Sequence, residues 1–198
     1  MIKKIIFFAL QIISKFMGRR FLKRKEIFLN VGAGNIKGVD NWITIDRQLK
    51  CDIIWDLRKG IPFLTNSVSK IYSHHFLEHL TYKECQKFLD ECLRVLKIGG
   101  EFSVSVPNIR VHINAYLNSD MDKKWFGYKP AYNNTTRIDH LNYAFYMDGH
   151  HKYMFDEENL IYILNTKFNN AQIREFDPDI DNEEVRFASI YARATKWE

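Results

Sequence analysis

Cysteine is scarce in this sequence and forms no recognisable framework. The 198 residues hold three, Cys51, Cys85 and Cys92, an odd number with no C-x-x-C spacing. That speaks against a disulfide scaffold. Cys85 and Cys92 fall at helical spacing among apolar residues, the pattern of buried thiols in a reducing compartment. No low-complexity tract and no internal repeat is present, so an array of repeated units is excluded. No apolar run reaches the roughly 20 residues that a bilayer-spanning helix needs. The apolar stretch at the start is followed by basic residues and no small-residue cleavage site, unlike a secretory signal. What remains is ordinary: 46% hydrophobic and 27% charged residues suit one soluble domain with a substantial core.

Acid is also missing from residues 1–25, which carry Lys3, Lys4, Lys15, Arg19, Arg20, Lys23, Arg24 and Lys25. These eight cations exceed the net charge of +5, so the rest of the chain is mildly acidic. A general nucleic-acid binder is therefore not expected. Ile2, Ile5, Ile6, Ala9, Ile12, Ile13, Phe16 and Met17 share one face of a helix over 2–22, with most of the cations opposite. Such a helix either lies on an anionic membrane surface or covers one face of the domain. The sequence divides accordingly into a basic amphipathic helix at 1–25 and a single domain at 26–198. The expected location is cytoplasmic, with peripheral contact of residues 2–22 on the inner face of the membrane.

The domain is organised around Glu26 to Asp46. Glu26 to Val31 reads as a buried strand that stops at Gly32-Ala33-Gly34, and Trp42 to Ile45 as a second strand closed by Asp46. Ligands of open parallel sheets sit at the carboxyl ends of the strands. Glycine there lets the backbone approach a ligand, and an acid ending the next strand can accept from both hydroxyls of a ribose. Cys51 to Trp55 is a third strand, ending in Asp56-Leu57, and Lys70 to Ser73 a fourth, followed by His74 and His75. A helix starts at Thr81, with Glu84 completing a capping box, and ends near Lys97 and Gly99-Gly100. Phe102 to Val106 is a fifth strand. Residues 109–155 are rich in Tyr, Asn, His and Trp and show little periodicity beyond a short helix at Ile109 to Leu117. A loop-rich stretch of that length is where an acceptor site or lid is expected. Asp156 caps a helix through Leu164, and Ala171 to Phe176 and Arg186 to Thr195 read as the last two strands. The alternation predicts an α/β fold with a mostly parallel sheet.

LNVGAG, ITID, DIIWDL, IPF…NSVSKIYSHHFLEHL and FLDECLRVLKIGGEFSVSVPN follow one another in order. The series resembles the class I S-adenosylmethionine-dependent methyltransferases. It is most similar to a small bacterial branch found among cell-surface polysaccharide genes, a likeness that HHKYMFDEENLIYIL extends. The resemblance implies a Rossmann-like fold: a mostly parallel seven-stranded sheet, helices on both faces and an antiparallel C-terminal hairpin. It implies S-adenosylmethionine as cofactor, with Gly32, Ala33 and Gly34 at its methionine part and Asp46 at its ribose. Asp56 and Leu57 fall beside the adenine, and His74 and His75 near the sulfonium and the acceptor. One departure stands out. Eleven residues separate Gly34 from Asp46, too few for the helix that typical members carry there.

Methyl transfer to oxygen needs alignment and removal of a proton, which histidine suits. His75, His140, His150 and His151 are the candidate bases, with His75 favoured by position. The expected activity is O-methylation of a saccharide, or another small-molecule acceptor, in cell-surface glycan biosynthesis. Two rivals stand beside it. The shortened crossover would also suit a non-catalytic scaffold in a glycan assembly. His75-Phe76-Leu77-Glu78-His79 spells H-x-x-E-H, an inverted zinc-hydrolase motif. That motif needs a helix, however, and the helix here starts only at Thr81, so no metal site is expected.

Overall fold

A computed structural model describes residues 21, 23–35, 38, 41–118 and 136–197. The amphipathic helix expected over 2–22, and with it the membrane contact, lies almost wholly outside the described residues. Seven strands form one sheet: β1 (Phe28–Val31), β2 (Trp42–Asp46), β3 (Ile53–Ile54), β4 (Val68–His74), β5 (Leu96–Pro107), β6 (Gln172–Ile173) and β7 (Ser189–Thr195). Their order is β3-β2-β1-β4-β5-β7-β6. The first five run parallel, and β7 is antiparallel to both β5 and β6. This is the Rossmann-like class I methyltransferase fold with its antiparallel C-terminal strands. The order turns back between β1 and β4, and in open α/β sheets ligands bind at such a reversal.

Alternation along the strands builds the core. Phe102, Val104 and Val106 of β5 are buried and face helices α1 (Tyr82–Val95) and α4 (Glu157–Asn165). Phe88 of α1 meets Phe102 edge-on, and Phe102 stacks on Phe168 just beyond α4. Ser103 and Ser105 point the other way, to Arg174 and His74. Two further helices, α2 (Ile109–Leu117) and α3 (Arg137–Tyr146), pack on one another beyond the carboxyl end of β5. Among the described residues no helix is long and apolar enough to cross a membrane. All three cysteines are free and buried.

Thr81 and Glu84 form the expected capping box. The far end of α1 differs from expectation. The helix stops at Val95 because Asn66 and Ser67 donate their N–H groups to the carbonyls of Arg94 and Val95. Gly99-Gly100 therefore sits inside β5, bonded to Lys196, rather than capping a helix. The outer strands β3 and β6 are two residues each, shorter than the apolar runs suggest, because each pairs on one side only. The aromatic stretch also holds more structure than its periodicity indicates. Thr136 and Asp139 make a reciprocal cap that starts α3.

The short β1–β2 connection is pinned by Asp52. Its Oδ2 accepts from the N–H of Gly38 (3.2 Å), the N–H of Thr44 (3.1 Å) and the hydroxyl of Thr44 (3.1 Å). A carboxylate from the β3 segment thus holds a crossover too short for a helix.

Candidate functional site

Two cavities open at the carboxyl ends of the strands, and His79 lines both. The first, of ≈ 220 Å³, lies against Asp46, Trp55, Asp56, Leu57, Phe76 and Leu80. It gathers three of the residues to which the resemblance gave cofactor contacts. Asp46 accepts from Gly34 N–H (3.0 Å) at Oδ2 and from Gln48 N–H (3.1 Å) at Oδ1. Each oxygen keeps a second acceptor position, enough for two vicinal hydroxyls. Trp55, Leu57 and Leu80 supply apolar walls. Trp55 is fixed by its indole N–H on Gly60 O (2.8 Å), a role that sequence reasoning passed over.

Asp56 is more committed. Arg58 grips its carboxylate through Nε (2.9 Å) and Nη2 (2.8 Å), and the Arg58 N–H caps Oδ1 (3.2 Å). The Arg58 side chain outweighs partial burial and holds this carboxyl below the usual aspartate range. What Asp56 offers an adenine amine is the remaining position on Oδ2.

The glycine turn is arranged differently from expectation. Gly32 N–H and Ala33 N–H both donate to Ile45 O (2.9 and 3.4 Å). A Cβ on Gly32 would stand 2.3 Å from the Phe76 ring, and its φ is +70°. Glycine is required there by a left-handed backbone and a close aromatic neighbour. The residues of this cleft therefore fit the adenosine half of S-adenosylmethionine, while Phe76 packs on the turn to which the resemblance assigned the methionine half.

The second cavity, of ≈ 400 Å³, is lined by His75, Glu78, His79, His112 and His151, with an apolar rim that includes Met147 and Phe187. A single turn of 3-10 helix, Leu77–His79, carries Glu78 into it. Lys152 N–H and Tyr153 N–H both donate to the Glu78 carbonyl (2.7 and 3.2 Å), stitching this turn to the segment that carries His151. The Glu78 side chain is 1% exposed, and its Oε2 has no hydrogen-bond partner. Burial raises this carboxyl to about 8. His79 donates Nδ1–H to His150 O (3.1 Å), and His151 donates Nδ1–H to Ala144 O (2.9 Å). A carbonyl can only accept, so both neutral rings keep their lone pair on Nε2.

His75 lines this cavity but is poorly matched to the base role. Its Nε2 lies 2.8 Å from Ser189 Oγ, whose own hydrogen goes to Val185 O (2.8 Å). Nε2 is therefore the donor. Burial, then the imidazoles of His74, His151 and His79, pushes His75 down to about 3. It is neutral at physiological pH, and a base that weak accepts a proton poorly. Its φ of +45° is a strained geometry of the kind found at sites. His74 is stacked between Tyr72 and His75 and bonded to Ser105 Oγ (2.6 Å), outside the lining of either cavity. His140 on α3 and the exposed His150 line neither cavity. Sequence reasoning missed His112, and considered Glu78 and His79 only within the zinc motif. The motif itself does not form as a helix face, since His75 follows β4 and His79 ends a 3-10 turn. The alternation of His and Glu around residue 78 was the available signal, but its partner His151 lies 73 residues beyond Glu78.

The family described as "Methyltransferase domain" matches residues 31–104. No curated protein matches the chain by sequence. Among solved structures, the chain is similar to a SAM-dependent methyltransferase from Archaeoglobus fulgidus, at 16% identity over 94% of each chain with a TM-score of 0.55. It is similar to SAM-dependent methyltransferases from Methanosarcina mazei, at 15% identity over 91% of this chain and 97% of that one, with a TM-score of 0.51. Phosphoethanolamine N-methyltransferase 2 of Haemonchus contortus, solved with S-adenosyl-L-methionine, matches at 10% identity over 93% of this chain and 52% of that one, with a TM-score of 0.53. At such identities the likeness speaks for architecture, and the sequence match speaks for the segment it covers. Residues 31–104 are thus similar in sequence to a methyltransferase domain, and the chain has the class I methyltransferase fold.

Proposed function

We propose that the protein transfers a methyl group from S-adenosylmethionine to a hydroxyl oxygen of a small saccharide acceptor seated in the second cavity. One observation carries the reading: two cavities, one suited to adenosine and one lined by unsatisfied proton acceptors, meet at His79. S-adenosylmethionine, when bound, supplies an electrophilic methyl group. Asp46 orients the ribose through its two free acceptor positions, and Trp55 and Leu57 flank the base. The Nε2 atoms of His79 and His151 form the face that receives the hydroxyl proton, and the carboxyl of Glu78, kept protonated at neutral pH by burial, stands beside them to orient the acceptor. Phe187, on the rim, is 77% exposed, a flat apolar surface on which a sugar ring can stack. The basic stretch at residues 1–25 suits an acceptor carried on an anionic membrane surface.

A second reading, a scaffold that binds no cofactor, is favoured by Phe76 standing on the Gly32 turn. Calorimetry of the full chain with S-adenosylmethionine and its demethylated product separates the two. Binding with a dissociation constant on the order of micromolar, weakened in Asp46→Ala, supports the enzyme. Silence with both ligands supports the scaffold. Methyl-labelled donor with extracted surface glycans then tests the acceptor; label found only in amine-bearing acceptors would overturn the saccharide assignment.

A further inference from the structure

The unsatisfied groups of the second cavity are arranged as metal ligands. Glu78, His79 and His151 each bring one ligand atom to within 4.8 Å of the others. His79 Nε2 stands 4.0 Å from Glu78 Oε1, and the two imidazole rings are 5.1 Å apart. We propose that these three residues bind one divalent transition-metal ion, zinc being the ion their chemistry favours, with an open coordination face toward the cavity.

Three observations lead there. The ligand set is two imidazoles and a carboxylate, the three-ligand pattern of zinc sites that keep one position for water or substrate. Both imidazoles are pre-oriented, because Nδ1–H of each is anchored on a backbone carbonyl, at His150 for His79 and at Ala144 for His151. Ligating histidines almost always show this arrangement, which fixes the tautomer and aims Nε2 at the ion. The third observation concerns Glu78. A carboxylate 1% exposed with an unpartnered oxygen is rare in folded proteins and calls for an explanation. A cation held between it and the two imidazoles gives one.

Zinc bonds of about 2.0–2.1 Å require the ligand atoms to close up from their present separations. His79 can do so, since its side chain is 38% exposed on a single 3-10 turn. His151 is buried and Glu78 is tied to segment 152–153 through its carbonyl, so two ligands are rigid and the third swings in. All three line the cavity, which places the open position against the acceptor. With the ion bound, the Nε2 lone pairs are spent on it; a hydroxyl on the open position would then be acidified by the metal and would release its proton to solvent through the cavity, rather than to an imidazole, as the bond to the methyl group forms.

This role rests on the proposed methyl transfer; the site does not. Metal binding is therefore measured without donor or acceptor, on full-length protein stripped by a chelator and titrated with Co(II), then Zn(II). The expected result is one Co(II) per chain, with the intense visible absorption of four- or five-coordinate cobalt, displaced by one equivalent of Zn(II). Glu78→Gln and His151→Ala should each weaken Zn(II) binding at least tenfold, while His150→Ala, which keeps the backbone carbonyl, should leave it unchanged. X-ray absorption of the zinc-loaded wild type, which needs no variant to fold, should show two imidazole ligands. A weak six-coordinate cobalt spectrum, a zinc shell without imidazole, or loss of binding in His150→Ala would each overturn the assignment. None of these results would bear on S-adenosylmethionine binding, so the two readings fail separately.

Discussion

Two buried polar clusters flank β4, one anchored on Tyr72 within the strand and one on the turn that follows it, and they are built on opposite plans. On the face away from α1 and α4, Asp181 accepts four hydrogen bonds. Tyr72 and Arg174 Nη2 reach one oxygen (2.9 and 2.8 Å), and Arg174 Nη1 and Asp177 N–H reach the other (2.6 and 2.8 Å). Arg174 spends its Nε on Ser103. Every acceptor position of the carboxylate is filled. In the second cavity, Glu78 is as deeply buried but keeps a free oxygen, with imidazoles beside it whose Nε2 lone pairs are aimed inward. A satisfied cluster has no capacity left for a ligand and serves the fold. An unsatisfied one costs stability, and proteins retain such cost chiefly where it is used.

The largest effect should come from breaking the satisfied cluster. Asp181→Ala leaves the Arg174 charge buried and unpaired, and should cost about 3–5 kcal/mol in urea unfolding. The same pair sets an acid limit. Burial alone would raise the Asp181 carboxyl, but Arg174 and the Asp177 N–H outweigh it and hold it below the ordinary value. A depressed folded pKa gives stability that is present above the unfolded value of about 3.9 and is lost as pH falls through the folded one. Wild-type stability should therefore drop below about pH 4, and Asp181→Asn should flatten that slope. An Asp181→Ala cost under about 1 kcal/mol would dissolve the contrast between the two clusters.

The cofactor cleft lies between these extremes, its acids half-used. Asp46→Ala should remove two charge-assisted hydrogen bonds to a ribose, each worth about 1.5–3 kcal/mol, and weaken S-adenosylmethionine at least tenfold by calorimetry. Stability should change little, since the main-chain donors Gly34 and Gln48 sit at a half-buried strand end. Unaltered affinity would mean that the ribose is held elsewhere.

The gradient from satisfied to unsatisfied explains what the sequence could reveal. The succession of strands along the chain, the α1 capping box and the placing of Asp46 at a strand end were legible, because each depends on local patterning: apolar alternation, Thr81 three residues before Glu84, an acid ending β2. The second cavity was not, because it is made by contacts distant in sequence. His151 reaches Glu78 only after α3 and the Met147–Gly149 turn bring it back, and residues 147 and 148 do so through positive φ angles that neither Met nor Asp announces. His75 was singled out for standing next to the right strand, yet burial disarms it, and burial is not written in a dipeptide. Asp52 was passed over because its partners Gly38 and Thr44 sit on another strand and its crossover.

The smallest effect in stability is the most discriminating. Glu78→Leu replaces a buried carboxyl, whose free oxygen finds no donor, by an apolar side chain one bond shorter and branched at Cγ. Leaving a buried polar group unsatisfied costs about 1–3 kcal/mol, so this substitution should raise stability by about 1 kcal/mol, read from the urea midpoint of metal-free protein. The proposed methyl transfer should fall about a hundredfold or more, while S-adenosylmethionine affinity stays as it was, because Glu78 lines the second cavity and not the first. That combination cannot arise from a residue that serves only the fold, for which lost activity and lost stability travel together. If Glu78→Leu instead unfolded the protein as readily as Asp181→Ala, the free oxygen would have a structural partner after all. Both clusters would then belong to the scaffold, and the site would have to be sought in the cofactor cleft alone.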